Sequence, residues 1–503
     1  MSVYSTEVIE RIAKVSLTPA GCAVDLGDGS ERAEYVNQDY ILHKMGRPHR
    51  NVSIMYTYYP LDQQWPERIS EACKDMDIQF QWDYPYDDYP TYGGGIGGDL
   101  HKEPFNQIKD IRRHGQDVTL TLTIDCSVGD EHLIKIAEDL RHFGRIQLRI
   151  NHECAGNWFT HNQRYSYQEI ADFYVRFVKI LKEHAPNVIT IFCAGFAQGE
   201  GKVEKEDEFL EAYKCADIWS GDRYLALHYG WPFDVCECGG NSFSAHTLDS
   251  FYGGLKDTAA RLRKVTGQEK PLVVSEFNLD GDVTGPREQM DAVNMFMDQL
   301  ADEKPDWFRS FCLYQFRDRG RLGLEIEDPN NNSVGIEQPI LKAYKEQIHR
   351  DYFLPGMEEK EEIEVMSDKS ATVEPILLRW GGAEDADGAA FEMTLEKDPT
   401  FFEIHFEEEL NLMIEVNGRW FYKAPGTSVV DCMSAFFAED AKKVEPGQKI
   451  TVRMFATPED GVNPETERED WDVNYYTEMK CLPEFRVRYT PVAIIGRDFT
   501  TRL

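Results

Sequence analysis

Two glutamates stand where apolar, strand-like runs come to an end. The first is Glu153, in Arg149-Ile150-Asn151-His152-Glu153-Cys154-Ala155-Gly156-Asn157-Trp158-Phe159; the second is Glu276, in Pro271-Leu272-Val273-Val274-Ser275-Glu276-Phe277. A carboxylate leaving a buried strand is costly unless it is paired or has a chemical role. Two of them on separate strands can act together on an acetal, one protonating the leaving oxygen while the other acts from the far side of the carbon. A separation of about 5–5.5 Å lets the second attack directly with retention of configuration, and roughly 6.5–9.5 Å admits a water and gives inversion. More than about 10 Å fits neither class.

The neighbours of each glutamate admit two readings. Glu153 is either one of the catalytic pair or a surface-loop carboxylate or ion-pair partner of Arg149, and Glu276 has the same alternatives, with Arg287 as its partner. Alternation of Leu272, Val274 and Glu276 predicts that this last side chain points into the barrel. Arg149, Asn151 and Glu153 share one face, so His152 reaches the same pocket only if the strand bulges at its end. Arg149 braces the interior or keeps Glu276 ionised, and Trp158 lines the pocket or seals the rim. Asp83 and Asp125, each at a strand end, bind sugar hydroxyls or cap helices. Gly93-Gly94-Gly95-Ile96-Gly97-Gly98 lacks the lysine of a phosphate loop and reads as a lid over the pocket. Cys236 and Cys238, with His228 and His246 nearby, have a one-residue spacing unlike a zinc site. No metal and no cofactor is expected.

The elements that must hold these groups recur as strand, then amphipathic helix. Eight strand-like runs are Val52–Tyr59, Ile78–Trp82, Val118–Ile124, Ile146–Ile150, Val188–Cys193, Ile218–Gly221, Leu272–Ser275 and Phe311–Phe316. Between them lie helical periodicities such as Glu131–Phe143, Tyr167–His184, Thr247–Thr266 and Gln289–Ala301. The pattern predicts an α/β chain, a (β/α)8 barrel over 51–352, with catalytic groups at the C-terminal ends of its strands. After the acidic run Glu358-Glu359-Lys360-Glu361-Glu362 the period changes to two, as in Phe401–Glu407 and Lys449–Phe455, with turns at Asn417-Gly418 and Pro446-Gly447. A β-sandwich accessory domain over 365–503 is expected. Residues 1–50 form an N-terminal extension that caps the barrel or adds a strand to the sandwich.

With 54 basic and 89 acidic residues the net charge is −35, which repels nucleic acid and anionic membranes and favours a neutral substrate. Neither a secretory leader nor an 18-residue apolar run is found, and the odd count of 11 cysteines, several inside apolar runs, points to a reducing cytoplasm. Homo-oligomerisation stays open.

The string R-x-x-H-E-x-x-G-x-W-F, at Arg149, His152, Glu153, Gly156, Trp158 and Phe159, resembles the acid/base segment of glycoside hydrolase family 26, in clan A. Ser275-Glu276-Phe277 resembles the clan's nucleophile strand, and Asp222-Arg223-Tyr224 its sixth-strand segment, whose tyrosine hydrogen-bonds the nucleophile. The resemblance implies Glu153 as acid/base and Glu276 as nucleophile of a retaining O-glycosidase acting on β-linked oligosaccharides, with His152 and Trp158 lining the subsites around the cleaved bond. Clan members usually carry a strand-eight tryptophan under the sugar; Leu313-Tyr314-Gln315-Phe316 has none, so Tyr314 or Gln315 stands in. Barrel plus sandwich is more similar to the family 39 xylosidases. A transglycosylase, or a carbohydrate-binding barrel without turnover, is the alternative.

Overall fold

The computed structural model describes residues 11–489 except 31–33, 63, 66–88, 157–158, 196–207, 226–244, 364–373, 382–385, 458–461, 464–467 and 470–474. Strand β1 (Arg11–Thr18) is followed by eight parallel strands that close into a barrel. They are β2 (Ala23–Gly27), β3 (Asn51–Tyr58), β4 (Asp117–Ile124), β5 (Ile146–Ile150), β6 (Val188–Cys193), β7 (Ile218–Tyr224), β8 (Leu272–Asn278) and β9 (Phe308–Leu313). Helices such as Asp130–Leu140, Tyr167–His184, Ala245–Thr266 and Pro286–Glu303 separate successive strands. The fold is a (β/α)8 barrel joined to a β-sandwich. Among the described residues, no helix is long and apolar enough to cross a membrane.

Two sequence expectations are corrected. The barrel begins at Ala23, not at 51, and no further strand stands between β3 and β4, which pair directly from Asn51–Asp117 to Tyr58–Ile124. Ile78–Trp82 itself lies outside the described residues. The true first strand is short and interrupted by an aspartate, which hides it from a search for apolar runs. Asp25 is tolerated because the Arg50 guanidinium grips both its oxygens, at 3.0 and 2.6 Å.

Side chains divide along the strands as the pleat requires. Ile146, Leu148 and Ile150 join the apolar layer between barrel and helices, while Gln147 and Arg149 are buried polar residues of the intervening positions. The barrel interior around the site is therefore polar, and its groups are held by one another.

Gly356–Ile363, β1, Asp387–Thr394, Lys449–Ala456, Leu412–Val416 and Arg419–Lys423 form a six-stranded sheet. It packs on smaller sheets containing Ile376–Trp380 and Phe401–His405 through Phe391, Phe402, Phe485, Trp380 and Phe455. The sandwich docks against segments that lead into barrel strands: Trp420 N–H donates to Gly46 at 2.9 Å, Tyr422 packs on His114, and Trp380 fills the space beside Gly115. These segments precede β3 and β4, at the barrel face opposite the strand ends that carry the glutamates.

Candidate active site

β7 and β8 meet with a register shift: Gly221 lies opposite Val274, but Asp222 lies opposite Glu276. The extra residue on β8 turns two successive side chains inward. Ser275 bonds Ser220 and Glu276 bonds Arg149, while Leu272, Val274 and Phe277 face the helix layer, with Phe277 packed at a tilt against Phe296. Glu276 does enter the barrel, yet not by the alternation expected for it. Leu272 and Val274 point the other way, and the bulge brings the carboxylate in.

Arg149, on β5, is fully buried and joins three strands. Its Nε donates to Thr121 Oγ1 at 2.7 Å, one terminal nitrogen to Asp222 Oδ1 and Oδ2 at 2.8 and 3.0 Å, and the other to Glu276 Oε1 at 2.7 Å. The remaining Glu276 oxygen accepts the Tyr224 hydroxyl at 2.8 Å. Each carboxylate oxygen of Glu276 thus has one strong donor fixing its direction. Burial, and then Glu276, raise the Tyr224 phenol well above its ordinary range, so it stays a proton-bearing donor. Asp222 is pushed up by burial, pulled down by Arg149, and pushed up again by Glu276 and Glu153, with the net direction upward.

At the end of β5 the backbone leaves the strand through two left-handed residues, Asn151 at φ 46° and Glu153 at φ 52°. This conformation, costing non-glycine residues roughly 1–2 kcal/mol each, breaks the alternation that would have turned His152 away. His152 Nε2 comes within 3.9 Å of Glu276 Oε1, and His152, Glu153 and Asp222 present polar atoms within 4.8 Å of one another. Glu153 and Glu276 consequently share two neighbours, His152 and Asp222. Phe159 packs on His152 at 4.5 Å between ring centres, and Met55, Tyr89 and Tyr314 complete an apolar wall.

His152, Glu153 and Asp222 are the group of described residues best placed to hold a metal ion. Both Asp222 oxygens are already held by Arg149, and the guanidinium is an unfavourable neighbour for a divalent cation. The donor set is better suited to handling protons than to ligating metal.

Other expected site residues have different surroundings. The Asn151 amide is engaged by the main chain: its oxygen accepts from Ile124 N at 2.7 Å and its nitrogen donates to Ile124 O at 3.2 Å, tying β5 to β4. Arg149, fully buried, spends its donors on Thr121, Asp222 and Glu276. Tyr314 packs edge-on against Tyr224 at the pocket wall. Gln315 turns toward Gly29 and donates to Asp318 Oδ1 at 3.2 Å. Trp158 and Asp83 lie outside the described residues, as do Cys236, Cys238 and His228. Asp125 accepts from Tyr165 and Ser127 through Oδ1, which organises a loop. The glycine-rich segment is tied down through Gly95 N, which donates to Asp139 at 2.7 Å on the helix Asp130–Leu140. Asp222, Thr121, Met55 and Tyr89 were missed as site residues. Asp222 alone carried a signal, sharing the inner face of β7 with Tyr224.

Burial, reinforced by Arg149, holds His152 well below the ordinary imidazole value, and burial takes His161 down from 6.5 to about 3. Both are neutral in the folded protein, whereas in the unfolded chain they take up protons below about pH 6.5. Acidification therefore favours unfolding, by about 1.4 kcal/mol per pH unit for each of the two, with nothing lost above that pH. Urea titrations between pH 7 and 5 should show stability falling toward the acid side. His161→Gln should flatten that slope; an unchanged slope contradicts the assignment.

No protein-family model matches the chain, and no curated protein matches it. Among solved structures, a GH26 β-mannanase from Bacteroides ovatus is similar at 12% identity and TM-score 0.42, over 67% of this chain and 90% of that one. The catalytic domain of the GH26 endo-β-1,4-mannanase of Bacillus sp. JAMB-750 gives 14% and 0.42, over 66% and 87%. A glucosidase from Croceicoccus marinus gives 8% and 0.44, over 89% and 99%. Likenesses at this level do not assign the chain to a family.

Proposed function

We propose that this protein is a retaining glycoside hydrolase for β-linked neutral oligosaccharides, with Glu276 as nucleophile and Glu153 as acid/base. The observation that supports the reading is the pair of donors, Arg149 and Tyr224, that aim the Glu276 oxygens beside His152 and Asp222, the two residues that also neighbour Glu153. Glu276 attacks the anomeric carbon as Glu153 gives its proton to the departing oxygen. Glu153 then takes a proton from water, and that water displaces the sugar from Glu276. His152, neutral and packed on Phe159, forms the pocket side beside Glu276. Trp158, Asp83, Tyr314 and Gln315 are further candidates for sugar contact, and the buried free thiols Cys22, Cys154, Cys193, Cys312 and Cys432 support a reducing compartment.

The deciding experiment is a screen of nitrophenyl glycosides and reducing-end-labelled oligosaccharides, with proton NMR of the first anomer released. A β-glycoside giving β-product first supports the reading, and α-product first excludes double displacement. Inclusion of acceptor sugars separates hydrolysis from transglycosylation, while calorimetric sugar binding without turnover on any substrate would indicate a binding protein.

Tyr224→Phe removes one donor to Glu276 and nothing else from the pocket. A hydrogen bond to a charged group contributes about 1.5–3 kcal/mol, so kcat should fall about tenfold to a hundredfold. The melting temperature should move little. A kcat within twofold of wild type would mean that the phenol does not act on the nucleophile.

A further inference from the structure

We infer that His161, Asn162 and Tyr167 are positioning residues that fix the backbone carrying Glu153, an inference that rests on reading Glu153 as the acid/base. After β5 the chain exposes five successive carbonyls, from His152 to Gly156, in a loop containing no regular element. Each meets a side chain from the segment just downstream. His161 Nε2 lies 3.2 Å from the His152 oxygen and donates to it. Asn162 Nδ2 donates to Glu153 O at 3.4 Å and Cys154 O at 3.0 Å, while its own Oδ1 accepts Phe159 N at 3.1 Å. The Tyr167 hydroxyl is 3.2 Å from Ala155 O and 3.3 Å from Gly156 O.

The need for this cradle follows from the backbone. Asn151 and Glu153 are held at positive φ, where neither residue rests by preference, and outside contacts must maintain them. Asn151 is anchored from the β4 side through Ile124. Glu153 is held from the other side by its own carbonyl and those flanking it. His161 is buried with Nδ1 lacking a hydrogen-bond partner, an arrangement an apolar residue of similar size would avoid. Among the described residues, its Nε2 meets the carbonyl of the residue before the acid.

If the cradle serves Glu153, its loss should affect reactions that need a proton more than reactions that do not. The test compares wild type with His161→Leu, His161→Gln and Asn162→Ala on two glycosides of one sugar, one with an alkyl and one with a dinitrophenyl leaving group. For His161→Leu and Asn162→Ala, kcat on the alkyl glycoside should fall at least about tenfold with KM nearly unchanged, and on the dinitrophenyl glycoside by no more than about twofold. His161→Gln, which keeps an N–H at similar reach, should recover most of the loss. Amide hydrogen exchange supplies a readout independent of turnover: Cys154, Ala155 and Gly156 should exchange at least about tenfold faster in His161→Leu. Equal losses on both glycosides, or unchanged exchange at these amides, would overturn the inference. If wild type cleaves no glycoside, the proposed function fails, and the exchange experiment alone decides whether the cradle holds this backbone.

Discussion

Glu276→Ala is expected to leave no measurable turnover on any glycoside, activated leaving group or not. In the proposed mechanism the covalent intermediate forms on this carboxylate, so its removal takes away the bond-forming atom and not merely a fraction of transition-state stabilisation. The cavity left by the side chain is bordered by Arg149 and Tyr224, two donors with no remaining acceptor there. A small anion such as azide should occupy it and attack in place of the carboxylate. The product would be a glycosyl azide of inverted configuration, because only one displacement occurs. Mass spectrometry and NMR read both outcomes; wild-type activity in this variant, or an azide product of retained configuration, would remove Glu276 from the role. The fold should survive the change less well than an ordinary surface substitution, since a buried guanidinium loses one of two anionic partners.

Glu153→Gln should behave differently, and the difference is diagnostic. General-acid assistance contributes roughly 10²–10⁴-fold, so hydrolysis of alkyl and oligosaccharide substrates should fall by that range. Dinitrophenyl glycosides need no proton to depart, so they should still load Glu276 and then stall, because water is no longer activated. A rapid burst followed by slow turnover is the expected time course. Azide should accelerate the second step and give a product of retained configuration, opposite to the product from Glu276→Ala. Uniform loss across all leaving groups, without a burst, would place Glu153 outside the proton transfers.

Much of this site was legible because its two carboxylates end apolar runs, and because the strands and helices between them keep clean periods. Ile146–Ile150, Val188–Cys193 and Tyr167–His184 fall where the pattern puts them. Features that depend on partners remote in sequence were not legible. β2 is recognisable as a strand only once Arg50 is known to neutralise Asp25. The inward turn of Glu276 comes from a bulge whose register is set by β7, so counting in twos along β8 gives a misleading route to a correct destination. The position of His152 beside Glu276 follows from backbone dihedrals at Asn151 and Glu153, and those are held by Ile124 from one segment and by His161 and Asn162 from another. Asn151 illustrates the same limit: an asparagine beside a catalytic motif reads as a ligand for sugar until the main chain of β4 is seen to occupy both ends of its amide.

β1 belongs to the six-stranded sheet of the sandwich, while β2, only a few residues later, belongs to the barrel. Its two partners, Gly356–Ile363 and Asp387–Thr394, arrive after the entire barrel has been synthesised. On the ribosome this strand therefore waits with both edges open, and the chain ends the wait by closing a loop that spans the barrel. Loop-closure entropy grows only logarithmically with length, so the delay is kinetic more than thermodynamic. The two units are threaded through one another in sequence although separate in space, and neither can be released intact by a single cut in the connecting chain.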